Sequence, residues 1–182
     1  MGLIACDDDG DDDDDGAPLA AATVPDATVV TDTPNAVTAV ATDYRFDGLP
    51  ATTPVGTQFN LQNDSTKEVH EMVIVRIPDE VTETVGQLLA LPEEELDAKV
   101  GDIEPSAVIV ALPGETGRAM EGDGIIDEPG RYAVLCFIPV GADPEMIAEL
   151  MEGPPPTGNE QPPLGDGPPH IMEGMYAEIV VE

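Results

Sequence analysis

Basic residues, aromatic residues and cysteines are all scarce in this chain of 182 residues. Six Lys and Arg stand against 38 Asp and Glu, which gives a formal charge of −32. Because phosphate binding needs clustered Lys and Arg, this balance excludes nucleic acid as a natural partner. It also disfavours direct adsorption to an anionic membrane surface. No apolar run approaches the roughly 20 residues that a membrane-spanning helix needs.

Tryptophan is absent and aromatic residues make up only 3% of the chain, so a core must consist mainly of Val, Ile, Leu and Met. The 41% of hydrophobic residues suffice for one domain of ordinary size. The 19 Pro and 18 Gly predict frequent turns and few long helices, which favours an all-β domain. The two cysteines, Cys6 and Cys136, cannot form a disulfide framework. A single disulfide between them is possible, but their spacing does not require it.

Residues 1–35 are predicted to form a disordered acidic tether that precedes the folded domain. Eight Asp occur within nine positions here, and such a run repels itself and cannot bury enough apolar area to offset chain entropy. An EF-hand calcium loop is excluded, because Ala22 occupies the position where a bidentate Glu is required. A solvated spacer is therefore the preferred interpretation.

The segment Leu3-Ile4-Ala5-Cys6 is similar to a bacterial lipobox, in which the Cys is lipidated after cleavage of a signal peptide. A signal peptide also needs a charged region and an apolar stretch of roughly 7–15 residues. We therefore expect the reading frame to extend upstream of Met1 and the mature protein to begin at a lipidated Cys6. The alternative is a free Cys in a disordered tail.

From residue 36 onwards, short segments of alternating polarity are separated by turn residues, a pattern typical of a two-sheet β-sandwich. The predicted strands are residues 36–46, 55–61, 72–77, 107–112, 132–137 and 175–181. Two helical insertions are predicted at residues 84–99 and 143–153, and a Pro/Gly-rich loop at 154–169.

Four potential metal ligands are predicted to lie at strand ends, where the loops of a sandwich gather. They are His70, Cys136, His170 and Met175. Two imidazoles, a thiolate and a weak axial thioether are the donor set of a type 1 copper site. Met172 is an alternative axial donor that ranks below Met175. A zinc site from the two histidines and the cysteine is chemically possible, but the Met argues against it.

Three segments carry a resemblance to a known family. They are NDSTKEVHEMVI at 63–74, PGRYAVLC at 129–136 and HIMEGM at 170–175. The chain resembles cupredoxins of the plastocyanin/azurin type over residues 36–182. The resemblance implies a Greek-key β-sandwich with one copper ion, an N-terminal region outside it, and short helical insertions.

Mapped residue by residue, the resemblance makes His70, Cys136 and His170 the equatorial copper ligands and Met175 the axial ligand. One departure concerns the loop between the Cys and the second His, which is only a few residues long in the family. Here 33 residues lie between Cys136 and His170, and residues 138–169 form an insertion. Lengthening a loop costs little entropy, so the insertion can fold outward and leave the ligands together.

The resemblance implies a carrier of single electrons between extracytoplasmic partners, and not an enzyme. The alternatives are a copper-binding protein that delivers its metal, and a metal-free cupredoxin-like binding module. The acidic surface suggests redox partners with basic patches, or a saline habitat. We expect a monomer that reaches a membrane only through the lipid anchor on Cys6.

Overall fold

The computed structural model describes residues 35–101, 103–153 and 164–182, which contain ten strands and four short helices. The strands are β1 (Ala36–Thr42), β2 (Arg45–Asp47), β3 (Thr52–Thr53), β4 (Thr57–Asn63), β5 (His70–Ile77), β6 (Ala107–Ala111), β7 (Arg118–Glu121), β8 (Ile125–Ile126), β9 (Gly130–Leu135) and β10 (Tyr176–Val181). The α-helices are α1 (Val85–Leu89), α2 (Glu93–Val100) and α3 (Pro144–Glu152), and a 3₁₀ helix spans His170–Glu173.

The strands form two sheets, which confirms the prediction of an all-β domain with short helices. The smaller sheet has the strand order β2-β1-β4-β8, and the larger one has the order β3-β10-β9-β5-β6-β7. Strand β5 lies in the middle of the larger sheet, where it pairs antiparallel with both β6 and β9. The strand that begins with His70 is therefore held on both edges.

The alternating pattern of β4 explains how the core forms. Thr57, Phe59, Leu61 and Asn63 are buried, while the residues between them are only half-buried. Because successive side chains of a strand point to opposite faces, one face of β4 enters the core. The largest fully buried apolar side chains are Tyr132, Phe59, Leu61, Met72, Ile74, Ile126, Met175 and Ile179.

A second apolar cluster lies where α1 packs against the larger sheet. Its buried members are Ile77, Val81, Val85, Leu88 and Ala133. The helix begins with a capping box, in which the Thr84 hydroxyl oxygen accepts the N–H of Gln87 and the side-chain oxygen of Gln87 accepts the N–H of Thr84. Among the described residues, no helix is both long and apolar enough to cross a membrane.

Two predicted elements are each divided in the structure. The strand predicted at 36–46 is a hairpin of β1 and β2, with Tyr44 in the turn at a φ of 65°. The helix predicted at 84–99 is interrupted between α1 and α2, because Pro92 has no N–H to continue the hydrogen-bond ladder. The sequence pattern also missed β3, β7 and β8, which are two to four residues long.

The boundaries next to the predicted ligands also differ from the sequence prediction. Strand β9 ends at Leu135, so Cys136 follows the strand instead of lying in it. His170 opens the 3₁₀ helix, whereas an irregular loop end was expected. Met175 directly precedes β10, which begins at Tyr176.

Candidate metal centre

His70 is positioned by the sheet and by a buried polar turn that precedes it. It is the first residue of β5 and lies opposite Ala111 of β6. The side-chain nitrogen of Asn63 donates to the carbonyl oxygens of Glu68 (2.9 Å) and Ala111 (3.0 Å). Its oxygen accepts the N–H of Ser65 (2.9 Å). One buried amide thus fixes both the turn and the partner strand of His70.

Cys136 is held through Glu71, the residue after His70. The backbone N–H of Glu71 donates to Sγ of Cys136 (3.4 Å), and the carboxylate of Glu71 accepts the N–H of Phe137 (2.9 Å). Burial raises the pKa of the Cys136 thiol to about 12, so the thiol is protonated at neutral pH when no metal is present. Burial also raises the pKa of Glu71.

His170 lies beside Cys136 although the insertion separates the two residues in sequence. Its N–H donates to the carbonyl oxygen of Ile138 (2.9 Å), and the next N–H, of Ile171, donates to that of Cys136 (2.8 Å). Just outside these bonds, Pro139 and Pro169 form an antiparallel bridge. The two ends of the insertion are therefore joined by backbone contacts, and the two candidate ligands stay together.

The three candidate equatorial ligands converge on one point. Ligand atoms of His70, Cys136 and His170 lie within 4.8 Å of one another, and all three residues are buried. The two Nδ1 atoms are 3.2 Å apart, and Sγ of Cys136 is 3.4 Å from Nδ1 of His170. Two donors bound to one tetrahedral ion at about 2.0–2.3 Å are separated by about 3.3–3.6 Å. The two spacings that involve His170 therefore suit a single metal ion.

Both imidazoles are shielded from solvent and are neutral at pH 7. Burial, and to a smaller extent the neighbouring His170, lower the pKa of His70 to about 4. Burial also lowers the pKa of His170. Among the described residues, Nε2 of each ring is buried without a hydrogen-bond partner. Neutral imidazole is the form that binds a metal, so no proton has to leave either ring for it to become a ligand.

The two candidate axial donors differ sharply in burial. Met175 is fully buried, and its N–H donates to the carbonyl oxygen of His170 (3.0 Å). Met172 is 73% exposed. The chain turns between them at Gly174, whose φ of 100° is open mainly to glycine. Burial therefore favours Met175 over Met172.

Two residues near the site were not found by the sequence analysis. Tyr44 meets the His170 ring edge-on, with ring centroids 4.9 Å apart, and partial burial raises its pKa, helped by the carboxylates of Glu68 and Glu173. Oε2 of Glu68 lies 3.4 Å from Nε2 of His170. Tyr44 stands in no recognisable motif, and Glu68 lies in the segment 63–74 without a role that its position there predicts, so only the three-dimensional structure brings them to the histidine.

The predicted lipidation site, Cys6, and the proposed tether at residues 1–35 fall almost wholly outside the described residues. Part of the predicted loop at 154–169 also falls outside them. The structure therefore bears on the metal ligands and not on the anchor. Within the described residues, a β-sandwich with a buried His–Cys–His triad at one point fits a cupredoxin and is consistent with one copper ion.

No family model matches this sequence, and no curated protein matches it. Among solved structures, this chain is similar to dithionite-reduced auracyanin from the photosynthetic bacterium Roseiflexus castenholzii, with 20% sequence identity and a TM-score of 0.42. The match covers 81% of this chain and 97% of the auracyanin chain. This chain is similar to auracyanin A, a blue copper protein from Chloroflexus aurantiacus, with 16% identity, 82% and 99% covered, and a TM-score of 0.40. For auracyanin B the identity is 17%, the covered shares are 86% and 95%, and the TM-score is 0.41.

Proposed function

We propose that this protein is a type 1 copper protein that carries single electrons between extracytoplasmic partners. The observation that carries the proposal is the convergence of the His70, Cys136 and His170 ligand atoms within 4.8 Å in a buried site. We assign these three residues as equatorial ligands and Met175 as the axial ligand. When bound, copper supplies the one-electron Cu(II)/Cu(I) couple.

The chain's own residues prepare the site for electron transfer rather than for a reaction on a substrate. Two hydrogen-bonded regions of backbone, at the start of β5 and after β9, hold His70 and Cys136. The bonds from the His170 segment to Ile138 and Cys136 fix the third ligand. Because the donors are already close together and buried, few atoms need to move when the charge of the site changes by one.

The visible spectrum of the Cu(II)-loaded protein tests this proposal. A thiolate bound directly to Cu(II) gives an intense charge-transfer band, so we expect the native protein to be strongly coloured. Cys136→Ser should abolish the band, whereas Cys6→Ser, the matched control, should keep it. A colourless protein after copper addition would contradict the proposal and favour a metal-free binding module or a zinc site.

Retention of copper through a redox cycle separates an electron carrier from a copper-delivery protein. Both histidines and the cysteine are fully buried, so a competing apo-site has little access to a bound ion. We expect repeated reduction and oxidation to leave copper bound in the presence of a competing chelator. Rapid transfer of copper to the chelator upon reduction would make delivery the function.

We also propose that the mature protein is held at a membrane by a lipid on Cys6. The support is the lipobox-like segment that ends at Cys6 and the acidic residues that follow it. Expression with the native upstream sequence should place the protein in the membrane fraction. Cys6→Ala should release it or leave it unprocessed, whereas Cys136→Ser should remain in the membrane fraction. Equal partitioning of the two variants would overturn the anchor.

Partners of this protein are proposed to present basic patches. The formal charge of −32 supports this proposal, since opposite charge on two proteins raises the rate at which they meet. The rate of electron exchange with a cationic redox protein should therefore fall steeply as salt is added. A salt-independent rate would contradict it.

A further inference from the structure

One carboxylate oxygen connects two segments of the copper site that are distant in sequence. Oε2 of Glu68, in the turn before β5, accepts the N–H of Gly141 over 2.9 Å and lies 3.4 Å from Nε2 of His170. Gly141 belongs to the outgoing end of the insertion, and His170 follows its returning end. The side chain of Glu68 is only 18% exposed.

The Nε2 side of His170 indicates which ring nitrogen carries the proton. This nitrogen is buried, and within the described part of the chain its contact with the Glu68 oxygen is longer than a normal hydrogen bond. A carboxylate oxygen can accept a hydrogen bond but cannot donate one. Its approach to Nε2 is favourable only if that nitrogen carries hydrogen.

The contacts on the Nδ1 side of His170 are compatible with the same assignment. Both Nδ1 of His70, at 3.2 Å, and Sγ of Cys136, at 3.4 Å, approach Nδ1 of His170. A neutral imidazole has one N–H and one lone pair, and a thiol S–H is a donor. The two contacts are compatible when Nδ1 of His170 is the acceptor. In the metal-free protein, His70 then carries its hydrogen on Nδ1 and donates it to His170.

We infer that Glu68 is the positioning residue of the copper site: its carboxylate keeps His170 in the Nε2–H tautomer, which leaves Nδ1 free for the metal. The same oxygen holds the insertion at Gly141, so the ring is oriented and the insertion is tied down by one side chain. Hydrogen bonding to the non-ligating nitrogen of a metal-bound histidine orients the ring and makes it a stronger donor. The effect of Glu68 on bound copper rests on the proposed function.

A fixed negative charge beside a ligand also favours Cu(II) over Cu(I), because the oxidised site carries one more positive charge. Glu173 provides a comparison, since its charge also acts on His170 but its side chain makes no hydrogen bond or ion pair within the described residues. Glu121 lies on the exposed strand β7, and its side chain makes no hydrogen bond or ion pair within the described residues. Glu121→Gln therefore gives a protein with the same net charge as the other two variants. The three Glu→Gln variants therefore separate the effect of a charge in contact with the His170 ring from that of a charge near the ring and from that of the net charge of the protein.

The first test uses the metal-free full-length protein labelled with ¹⁵N-histidine. The ¹⁵N shifts and ring couplings should show His170 as the Nε2–H tautomer and His70 as the Nδ1–H tautomer in the native protein. In Glu68→Ala, which removes the shared oxygen, exchange of the Gly141 amide with solvent should become faster and His170 should lose its single tautomer, whereas Glu68→Gln should keep both because its amide oxygen can accept both bonds. An Nδ1–H tautomer of His170 in the native protein overturns the inference, and this measurement needs no variant to fold.

The second test compares reduction potentials of the copper-loaded variants. Glu68→Gln should raise the ratio of Cu(I) to Cu(II) affinity at least tenfold, which is about 59 mV for a one-electron couple. Glu173→Gln should raise it less, and Glu121→Gln should leave it unchanged. Equal shifts in Glu68→Gln and Glu173→Gln would overturn the role of the contact.

The two tests distinguish failure of this inference from failure of the proposed function. If native protein binds no copper but shows the expected tautomers, the proposed function fails and the role of Glu68 in setting the His170 tautomer stands. If native protein shows the charge-transfer band but its His170 is the Nδ1–H tautomer before loading, the inference fails and the copper site stands.

Discussion

The side chain of Asn63 donates to the carbonyl oxygen of Ala111 over 3.0 Å, and Ala111 is the residue that lies opposite His70 in the larger sheet. Asn63 ends β4 in the smaller sheet, so this single bond joins the two sheets beside the first candidate ligand. The candidate metal site and the packing of the sandwich therefore depend on the same buried amide.

Asn63→Ala should lower the free energy of unfolding of the metal-free protein by about 2–4 kcal/mol, because it leaves two carbonyl oxygens and one N–H without their partner. Chemical denaturation measures the change. Asn60→Ala is the matched control, since Asn60 lies on the same strand and is only half-buried. A loss of similar size in both variants would contradict the role of the bonds.

Arg131 should contribute more to stability than Arg45, although each forms an ion pair. Arg131 bonds to the Glu178 carboxylate and to the carbonyl oxygens of Val81 and Glu83, and thereby holds the segment before α1 on the sheet. Arg45 pairs with Asp47 in an exposed position.

We expect Arg131→Ala to cost about 2–4 kcal/mol and Arg45→Ala to cost less than about 1 kcal/mol in the same denaturation assay. The difference arises because the bonds of Arg131 are partly buried, whereas water and salt screen those of Arg45. A larger loss in Arg45→Ala would show that the segment before α1 is held by other contacts.

Met175→Leu should raise the reduction potential and alter the visible spectrum of the copper-loaded protein, because it removes a weak sulfur donor from a buried position. Met172→Leu should change neither, since that side chain is 73% exposed. Voltammetry and absorption spectroscopy measure both effects. The opposite result would make Met172 the axial donor.

Copper uptake at pH 6 should release fewer protons than uptake by a site with ordinary histidines. The Cys136 thiol, with its pKa raised to about 12, must lose a proton to bind, whereas His70, with its pKa lowered to about 4, is already neutral, and burial lowers the pKa of His170 as well. Histidines with the ordinary value of about 6.5 would release about 1.5 further protons at this pH. Calorimetric titrations in buffers of different ionisation enthalpy count the protons, and a release near 2.5 would contradict neutral histidines.

Much of the fold could be predicted from the sequence, because long strands with one buried face leave a clear alternating pattern. Segment 55–61 overlaps β4 and shows this alternation, whereas segment 72–77 overlaps β5 as a nearly continuous apolar run that is buried on both faces at its start. The strands that the analysis missed, such as β3 and β8, are too short to show any period. The Leu residues of segment 84–99 predict one helix, but Pro92 divides it, and a Pro at this position is itself a sequence signal for a helix break.

The candidate ligands could be predicted because cysteine and histidine are rare in this chain, with two of each. The residues that hold them could not, because 38 acidic residues hide the two that matter, Glu68 and Glu71. Their partners are 73 and 66 positions away in the chain, at Gly141 and Phe137. No local pattern encodes contacts over such distances.

The bridge between Pro139 and Pro169 has a consequence for how related genes can be recognised. A search pattern that requires the Cys and the second His to be only a few positions apart would miss this chain. Because the bridge joins the two ends of the insertion, the number of residues between them does not affect the positions of the ligands. A search that limits this number therefore rejects chains whose sites are intact. A search that leaves this interval open, and requires instead a Pro shortly after the Cys and another directly before the His, would recover them.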